Sequence, residues 1–437
     1  MRILFIQPSR LNPDGSVFHA KSRWLVGMTL PYLAALTPRE HAVEIKDDLW
    51  DPIDFDAPVD LVALTFMSHQ ARRAYQIAEE FRKRKRAVVL GGFHVTLAPE
   101  EALEHCDAIV FGEAELVWKQ LLEDFGAGRL QKRYLASALS DLKGLPVPRY
   151  DLLDLKRYQI ANIPTQTTRG CPYGCNYCEV STVYGRKFRH RPPEEVEEEI
   201  RTIQRTTGRR AFYLVDDIFN ADRKHAFEVM ERILPLKIVW SCLCTANIGS
   251  DLEFLDLMRK SGCSHINIGM ETINAENLKL INKKQNHTDR YGKQFAEIRK
   301  RGIEYSLNVI FGLDGDTKDT FDATLALLKE YKAPMAFAFI LAPRVGLEIR
   351  KQLQDQNRIL TDDWTRYTSY ECVFQPKNMT PLELEDGFWR FQREFYSLPS
   401  IFKRLFTPPK PYTPRALAAN LFFKYGARRR IHPLTYY

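Results

Sequence analysis

Twice along the chain, short apolar runs alternate with segments of helical period, and this restricts the fold more than any other feature of the sequence. A parallel strand is covered by helices on both faces, so it reads as a continuous apolar run. Arg2–Gln7 (RILFIQ) opens the chain in this way, followed by Ala42–Lys46, Leu61–Phe66, Ala87–Leu90 and Ala108–Phe111. Between them, Gln70–Arg84 places Ala71, Ala74, Ile77, Ala78 and Phe81 at helical spacing, and Glu100–His105 reads as a shorter helix. The alternation predicts an α/β fold with a doubly wound parallel sheet over residues 1–125.

Residues 126–160 read as a linker, with Pro146 and Pro148 and no sustained period. A second alternating region spans 161–345. Its candidate strands are Pro164–Thr168, Ala211–Val215, Ile238–Cys244, His265–Gly269, Tyr305–Phe311 and Met335–Leu341. The intervening helices are Pro193–Gln204, Arg223–Ile233, Leu252–Lys260, Ala275–Ile281, Tyr291–Arg301 and Thr317–Tyr331. That many strand–helix repeats exceeds what an open sheet usually needs and fits a partial (β/α)6 barrel, whose active face lies at the strand C-termini. Residues 346–437 form a small, mainly helical region.

A chain of 437 residues with 45% hydrophobic and 27% charged residues is a soluble globular protein of two or three domains. It contains eight cysteines, three of them crowded into Cys171–Cys178 and the rest scattered in apolar surroundings. This is not a secreted disulfide framework and indicates a reducing compartment. With no signal-peptide composition and no run of ~18 apolar residues, the expected location is cytoplasmic. The net charge of +8 is concentrated toward the C-terminus, from Lys403 to Arg430. That stretch reads either as a solvated, partly disordered tail or, with Phe402, Phe406 and Phe422 interleaved, as a peripheral membrane contact. No nucleic-acid motif accompanies the charge, so nucleic acid is not an expected partner.

The chemistry sits in Thr167–Val180, TTRGCPYGCNYCEV, where Cys171, Cys175 and Cys178 follow C-x-x-x-C-x-x-C directly after a candidate strand. Three thiolates on a tight loop ligate three irons of a [4Fe–4S] cluster and leave the fourth open, where S-adenosylmethionine (SAM) chelates. Zinc would need a fourth ligand, for which His190 is the nearby candidate. A redox pair of Cys175 and Cys178 would leave Cys171 without a role.

These residues, with the aromatic Tyr177 before the last cysteine, resemble the signature of the radical SAM superfamily. The resemblance covers about residues 161–345. It implies SAM contacts at Tyr177, at Asp216 and Asp217 (LVDDIF), at Glu271 (IGMET) and at Val309 (NVIFGLDGD). From the residues alone, Asp216 and Asp217 also read as a helix cap and Glu271 as a local pair. The resemblance further implies a one-electron donor such as flavodoxin or ferredoxin.

Residues 1–125 resemble the cobalamin-binding domain that precedes many radical SAM domains. The resembling segments are Thr65–Ser68, GGFHVTLAPEEAL at Gly91–Leu103, and VFGEAE at Val110–Glu115. Glycine at a strand end allows close backbone approach to a phosphate-bearing tail. The implied cobalamin contacts are Thr65, Ser68, Gly91, Gly92, Thr96 and Gly112. One departure stands out: after the first strand, where some cobalamin proteins carry D-x-H-x-x-G, this chain has SRLNPDGS (Ser9–Ser16), so no histidine of that motif binds cobalt. His94 reads as a loop histidine beside the pocket, with a ligand or proton-shuttle role as the sharper reading.

Two reaction classes follow from the resemblance to the methyltransferase and anaerobic Mg-protoporphyrin ester cyclase-like group. One is methyl transfer to an unactivated carbon, the other oxidation or cyclisation of the substrate. An empty N-terminal scaffold ahead of a working radical SAM domain is a third reading. The substrate is expected to be a small molecule or lipid held by the C-terminal third; no acid–base residue is assigned.

Overall fold

The computed structural model describes residues 1–21, 23–136, 138–160, 162–407 and 412–431. Its first sheet comprises β1 (Arg2–Gln7), β2 (Ala42–Asp47), β3 (Leu61–Thr65), β4 (Ala87–Gly91), β5 (Ala108–Phe111) and β6 (Arg133–Leu135). All are parallel, in the order β2-β1-β3-β4-β5-β6. The helices are α1 (Thr29–Leu36), α2 (Ala71–Lys83), α3 (Phe93–Leu97), α4 (Pro99–Glu104) and α5 (Trp118–Gly126). Successive side chains of β1 enter opposite layers. Leu4 and Ile6 pack with Ile77 and Phe81 of α2 on one face, while Ile3 and Phe5 pack with Leu30 of α1 and Trp118 of α5 on the other. Each such buried aliphatic or phenyl group contributes about 1.5–3 kcal/mol.

The doubly wound sheet is therefore as the sequence indicates, with one correction. The segment 126–160 is more than a linker, because Arg133–Leu135 adds the sixth strand beside β5. Tyr158–Ile160 also pairs with Arg23–Leu25 in a small parallel ribbon. Strands this short carry too few residues to show a period.

The second sheet is also wholly parallel: β7 (Ile163–Thr165), β8 (Ala211–Leu214), β9 (Val239–Thr245), β10 (Cys263–Glu271), β11 (Glu304–Phe311) and β12 (Met335–Ile340). They neighbour one another strictly in chain order. The helices α6 (Glu179–Val183), α7 (Pro193–Thr207), α8 (Arg223–Ile233), α9 (Leu252–Lys260), α10 (Ala275–Leu280), α11 (Tyr291–Lys300) and α12 (Thr320–Glu330) fill the connections. Outward residues such as Trp240, Ile266, Ile268 and Leu307 form the core with these helices. The inner face carries Tyr213, Ser241, Asn267, Asn308 and Phe339, which line a cavity.

Among the described residues four α-helices follow the second sheet: α13 (Glu348–Asp355), α14 (Pro381–Phe395), α15 (Leu398–Leu405) and α16 (Pro414–Arg429). The basic stretch is helical with Lys403, Arg415, Arg428, Arg429 and Arg430 exposed, and Lys410 lies outside the described residues; one charge departs from the expected solvated tail. Arg404 is fully buried, donating from Nε to Ser400 Oγ, from Nη1 to the carbonyls of Ala333 and Pro334, and from Nη2 to the Phe395 carbonyl and Asn420 Oδ1. All five guanidinium hydrogens are thus satisfied, which is what makes a buried arginine tolerable. Phe423 of α16 packs on Tyr396 and Phe337. Among the described residues, no helix is long and apolar enough to cross a membrane.

Candidate active site

The cysteine loop grows from a two-stranded hairpin in which Thr168 pairs with His190 and Arg169 with Arg189. Gly170 opens the loop with a φ of 89°, and a Cβ there would lie 2.4 Å from the Lys187 carbonyl oxygen, so only glycine fits. Two carboxylates from the end of β8 hold this entry. Asp216 accepts from the Thr167 hydroxyl and from the amides of Thr167 (2.6 Å) and Thr168 (3.0 Å). Asp217 accepts from the Gly170 amide at 2.9 Å. The doublet therefore splits: Asp216 is buried as an anchor of the loop, whereas Asp217 also lines the cavity. Burial lifts the Asp217 carboxyl to about 6, against the pull of the Gly170 amide. Neither residue makes the helix cap the sequence also allowed; the cap of α8 is Asp222.

Cys171 and Cys175 are buried, Cys178 is partly so, and none is in a disulfide. Burial pushes the Cys171 thiol up to about 11 and Cys178 to about 12, and raises Cys175 as well. Among the described residues no three His, Cys, Asp or Glu side chains gather around one ion position. His190, the fourth ligand a zinc knuckle would need, instead pairs with Asp222 at 3.2 Å and lies against the His225 ring.

The far side of the loop is pinned to the turn after α10. Asn176 donates to the Leu280 carbonyl at 3.0 Å, and Asn282 donates to the Gly174 carbonyl at 2.5 Å. Lys283 forms a buried ion pair with Glu271 (2.8 Å) and reaches the Tyr177 hydroxyl at 3.4 Å. Burial would pull the Lys283 ammonium down, but Glu271 and the neighbouring thiols hold it above its ordinary value. Glu271 thus makes the local pair its residue type allows, with Tyr177 at the edge of that pair, and Lys283 is a member the sequence reading missed. Its only sequence signal is a lysine pair in INKKQN; the contact depends on the left-handed turns at Glu271 (φ 67°) and Asn282 (φ 56°). Val309 is not brought in: it is 1% exposed in the core, on the opposite side of β11 from the cavity-lining Asn308.

In the first domain, strand order reverses between β1 and β3, the place where doubly wound sheets bind ligands. Gln7, Arg10, Met67, His69 and Gln70 line the cavity from that point. The cobalamin candidates lie just behind this wall. Gly92 has a φ of 101° and ψ of −174°, and a Cβ there would lie 2.7 Å from Thr65 Oγ1, so the turn packs tightly on the β3 end. A Cβ on Gly91 meets nothing nearer than 3.7 Å, and one on Gly112 meets nothing within 4 Å. The Thr96 hydroxyl donates to the Gly92 carbonyl (2.9 Å) and accepts from the Gly112 amide (3.1 Å), clipping two strand-end loops together. Ser68 is used internally as well, on His94 Nδ1 at 3.1 Å. His94 is fully buried, with Nε2 on Tyr75 at 3.1 Å and its ring edge-on to Trp364, so it faces no ligand space.

Both C-terminal strand edges open into one cavity of about 1260 Å³, reached by Asp217, Asn308, Phe339 and Arg344 from the barrel and by Met67, His69 and Phe93 from the first domain. Its size and position at the switch point fit a large corrin beside a SAM-binding barrel.

Comparison with known proteins agrees with this geometry. The Radical SAM superfamily model matches residues 165–328, and the B12 binding domain model matches residues 40–122. A bacteriochlorophyllide d C-12(1)-methyltransferase of Chlorobaculum tepidum is 31% identical over 360 residues, covering 81% of this chain and 78% of the relative. An anaerobic magnesium-protoporphyrin IX monomethyl ester cyclase of Cereibacter sphaeroides is 26% identical, covering 72% of this chain and 56% of its own. The radical SAM methyltransferase TsrM of Kitasatospora setae, solved with cobalamin and a [4Fe–4S] cluster, superposes with a TM-score of 0.73 at 16% identity over 98% of this chain and 99% of that one. At that identity the likeness is one of fold.

Proposed function

The chain belongs to the radical SAM superfamily, in its branch with a B12-binding domain, with a [4Fe–4S] cluster, SAM and cobalamin as cofactors, and from that premise we propose that it methylates an unactivated carbon of a small organic substrate. The single observation that supports this reading most is the shared cavity, into which both parallel sheets present their C-terminal edges. When bound, the cluster and SAM supply a carbon-centred radical and cobalamin supplies the methyl group. In this reading Cys171, Cys175 and Cys178 hold the cluster. Tyr177, Glu271 and Lys283 form the wall beside it, and Asp217 takes the polar end of SAM. The Gly92 turn, packed on Thr65, shapes the strand ends behind the cavity wall, and the open sides of Gly91 and Gly112 leave backbone accessible there.

The test uses SAM carrying a trideuterated methyl group, supplied to the anaerobically reconstituted enzyme with tetrapyrrole and lipid fractions as substrate pools. The expected product carries the intact labelled methyl. A product that has lost hydrogens and gained no label would replace methylation by the oxidative or cyclising reading, which the relatedness to the cyclase supports.

The electron donor in this account is a flavodoxin or ferredoxin, since the cluster must be reduced one electron at a time, and the free thiols support a cytoplasmic setting. Peripheral contact with an anionic membrane finds support in the exposed Phe402 and Phe406, stacked beside the exposed Lys403. Binding to phosphatidylglycerol vesicles that survives Phe402→Glu with Phe406→Glu would remove this reason for proposing it.

A further inference from the structure

Neither cofactor accounts for a buried cluster of four charges between the cysteine loop and the first domain. Arg169 ends the strand immediately before Gly170 and Cys171, and Arg189 stands opposite it on the returning strand. Two like charges on directly paired residues repel, yet both guanidiniums point into the first domain and meet two carboxylates of the loop after β5. Arg169 Nη1 lies 2.6 Å from Glu115 and 3.5 Å from Glu113. Arg189 donates through Nη1 and Nη2 to the two oxygens of Glu113 and also to the Ser140 carbonyl. Ser140 donates its amide and hydroxyl to the same carboxylate. The side chains of Arg169, Arg189, Glu113 and Glu115 are 7%, 8%, 2% and 9% exposed. The four charges cancel, so each is tolerable only while the others are in place.

The two ends of this cluster lead to different cofactors. Glu113 follows Gly112, whose amide the Thr96 hydroxyl ties to the Gly92 turn. On the other side Arg169 and Arg189 are the stem of the cysteine loop. The exit of that loop is held from the same place: Tyr184, which follows α6 after Cys178, meets Phe93 edge-on at 5.6 Å, and Phe93 follows Gly92. Entry and exit of the cysteine loop therefore both rest on the strand-end loops that carry the candidate cobalamin contacts.

We propose that Glu113 and Glu115 are positioning residues for the cluster loop, through which occupancy of the cobalamin pocket steadies the cluster. The inference rests on the two-cofactor reading above. A mere staple between domains would affect stability without linking the cofactors. A positioning role makes cluster and corrinoid mutually supportive, because coupling is reciprocal.

The experiment uses the full-length, anaerobically reconstituted protein with and without hydroxocobalamin. Loss of iron to a ferrous chelator is timed, and the paramagnetic resonance spectrum of the reduced cluster is recorded. Cobalamin is expected to slow iron loss at least about fivefold, the low end of ordinary site–site coupling, and to alter the spectrum. In Glu113→Gln, cobalamin still binds, but the protection shrinks below about twofold and the spectrum no longer responds. Glu113→Asp restores part of both. Should Glu113→Gln fail to fold, Ser140→Ala removes only a hydroxyl donor to the same carboxylate and lowers the protection in the same direction. Cobalamin binding with no effect on the wild-type cluster, or full protection in a folded Glu113→Gln, overturns the proposal. Failure to bind any corrinoid would instead overturn the two-cofactor reading on which it rests.

Discussion

One contiguous loop, Gly170–Cys178, carries the cluster ligands, whereas the candidate cobalamin contacts are spread over three strand ends from Thr65 to Gly112. The loop is held by side chains aimed at particular backbone atoms: Asp216 on Thr167 and Thr168, Asp217 on Gly170, Asn282 on Gly174. In the first domain the hydroxyls of Ser68 and Thr96 satisfy the protein itself, and what faces the cavity is a wall of mixed side chains in front of a tight glycine turn. Covalent ligation of iron requires specific atoms at set places. Holding a large cofactor requires room and close backbone approach, which many sequences provide.

The comparison breaks first at the cysteines. Cys171→Ala is expected to leave the protein folded, with iron well below the ~4 per chain of an intact cluster. SAM cleavage should fall at least about 10³-fold, the scale of losing one member of a set that acts as a unit. Iron analysis and product chromatography check both. Next comes Lys283→Met, which strands the buried Glu271 carboxylate; a loss of about 3–5 kcal/mol is expected, measured by denaturant unfolding of the apoprotein. The exposed pair of Arg223 with Asp251 serves as control, where Arg223→Gln should cost under about 1 kcal/mol.

On the cobalamin side the effects are smaller and depend on backbone. Gly92→Ala forces a side chain into a conformation held almost only by glycine, at about 1–3 kcal/mol, and should weaken corrinoid binding in an equilibrium titration. Its neighbour Gly91→Ala, with room for the methyl, should be close to neutral in both. A separate effect is that of pH on the seam. Burial alone would raise the Glu113 carboxyl, but Arg189 and Ser140 hold it down at about 2, below the ordinary 4.5. Its contribution is therefore present above pH 4.5 and is lost as pH falls toward 2. Unfolding midpoints followed across that window should decline less in Glu113→Gln than in the wild type.

Much of this architecture was legible because buried parallel strands are apolar throughout. β1 and α8 run over the residues the sequence indicates, and the cluster motif needed only spacing and a preceding strand. What escaped depended on contacts between distant segments. The strand at Arg133–Leu135 is only three residues long. Arg404 counts as one more surface charge until carbonyls of two separate segments and the Asn420 side chain surround it. The doublet Asp216-Asp217 cannot reveal which carboxylate faces the loop and which the cavity. Lys283 gains its meaning only when a left-handed turn brings it back to Glu271.

The central claim, that the cysteine loop and the cobalamin domain serve one radical reaction, is tested most directly by anaerobic formation of 5′-deoxyadenosine from SAM in the reconstituted, corrinoid-loaded protein under a strong reductant. The account predicts formation in the wild type, together with ~4 iron and bound corrinoid per chain, and none in Cys171→Ala. Equal yields from the two proteins, or a wild type that binds zinc and cleaves no SAM, would contradict it.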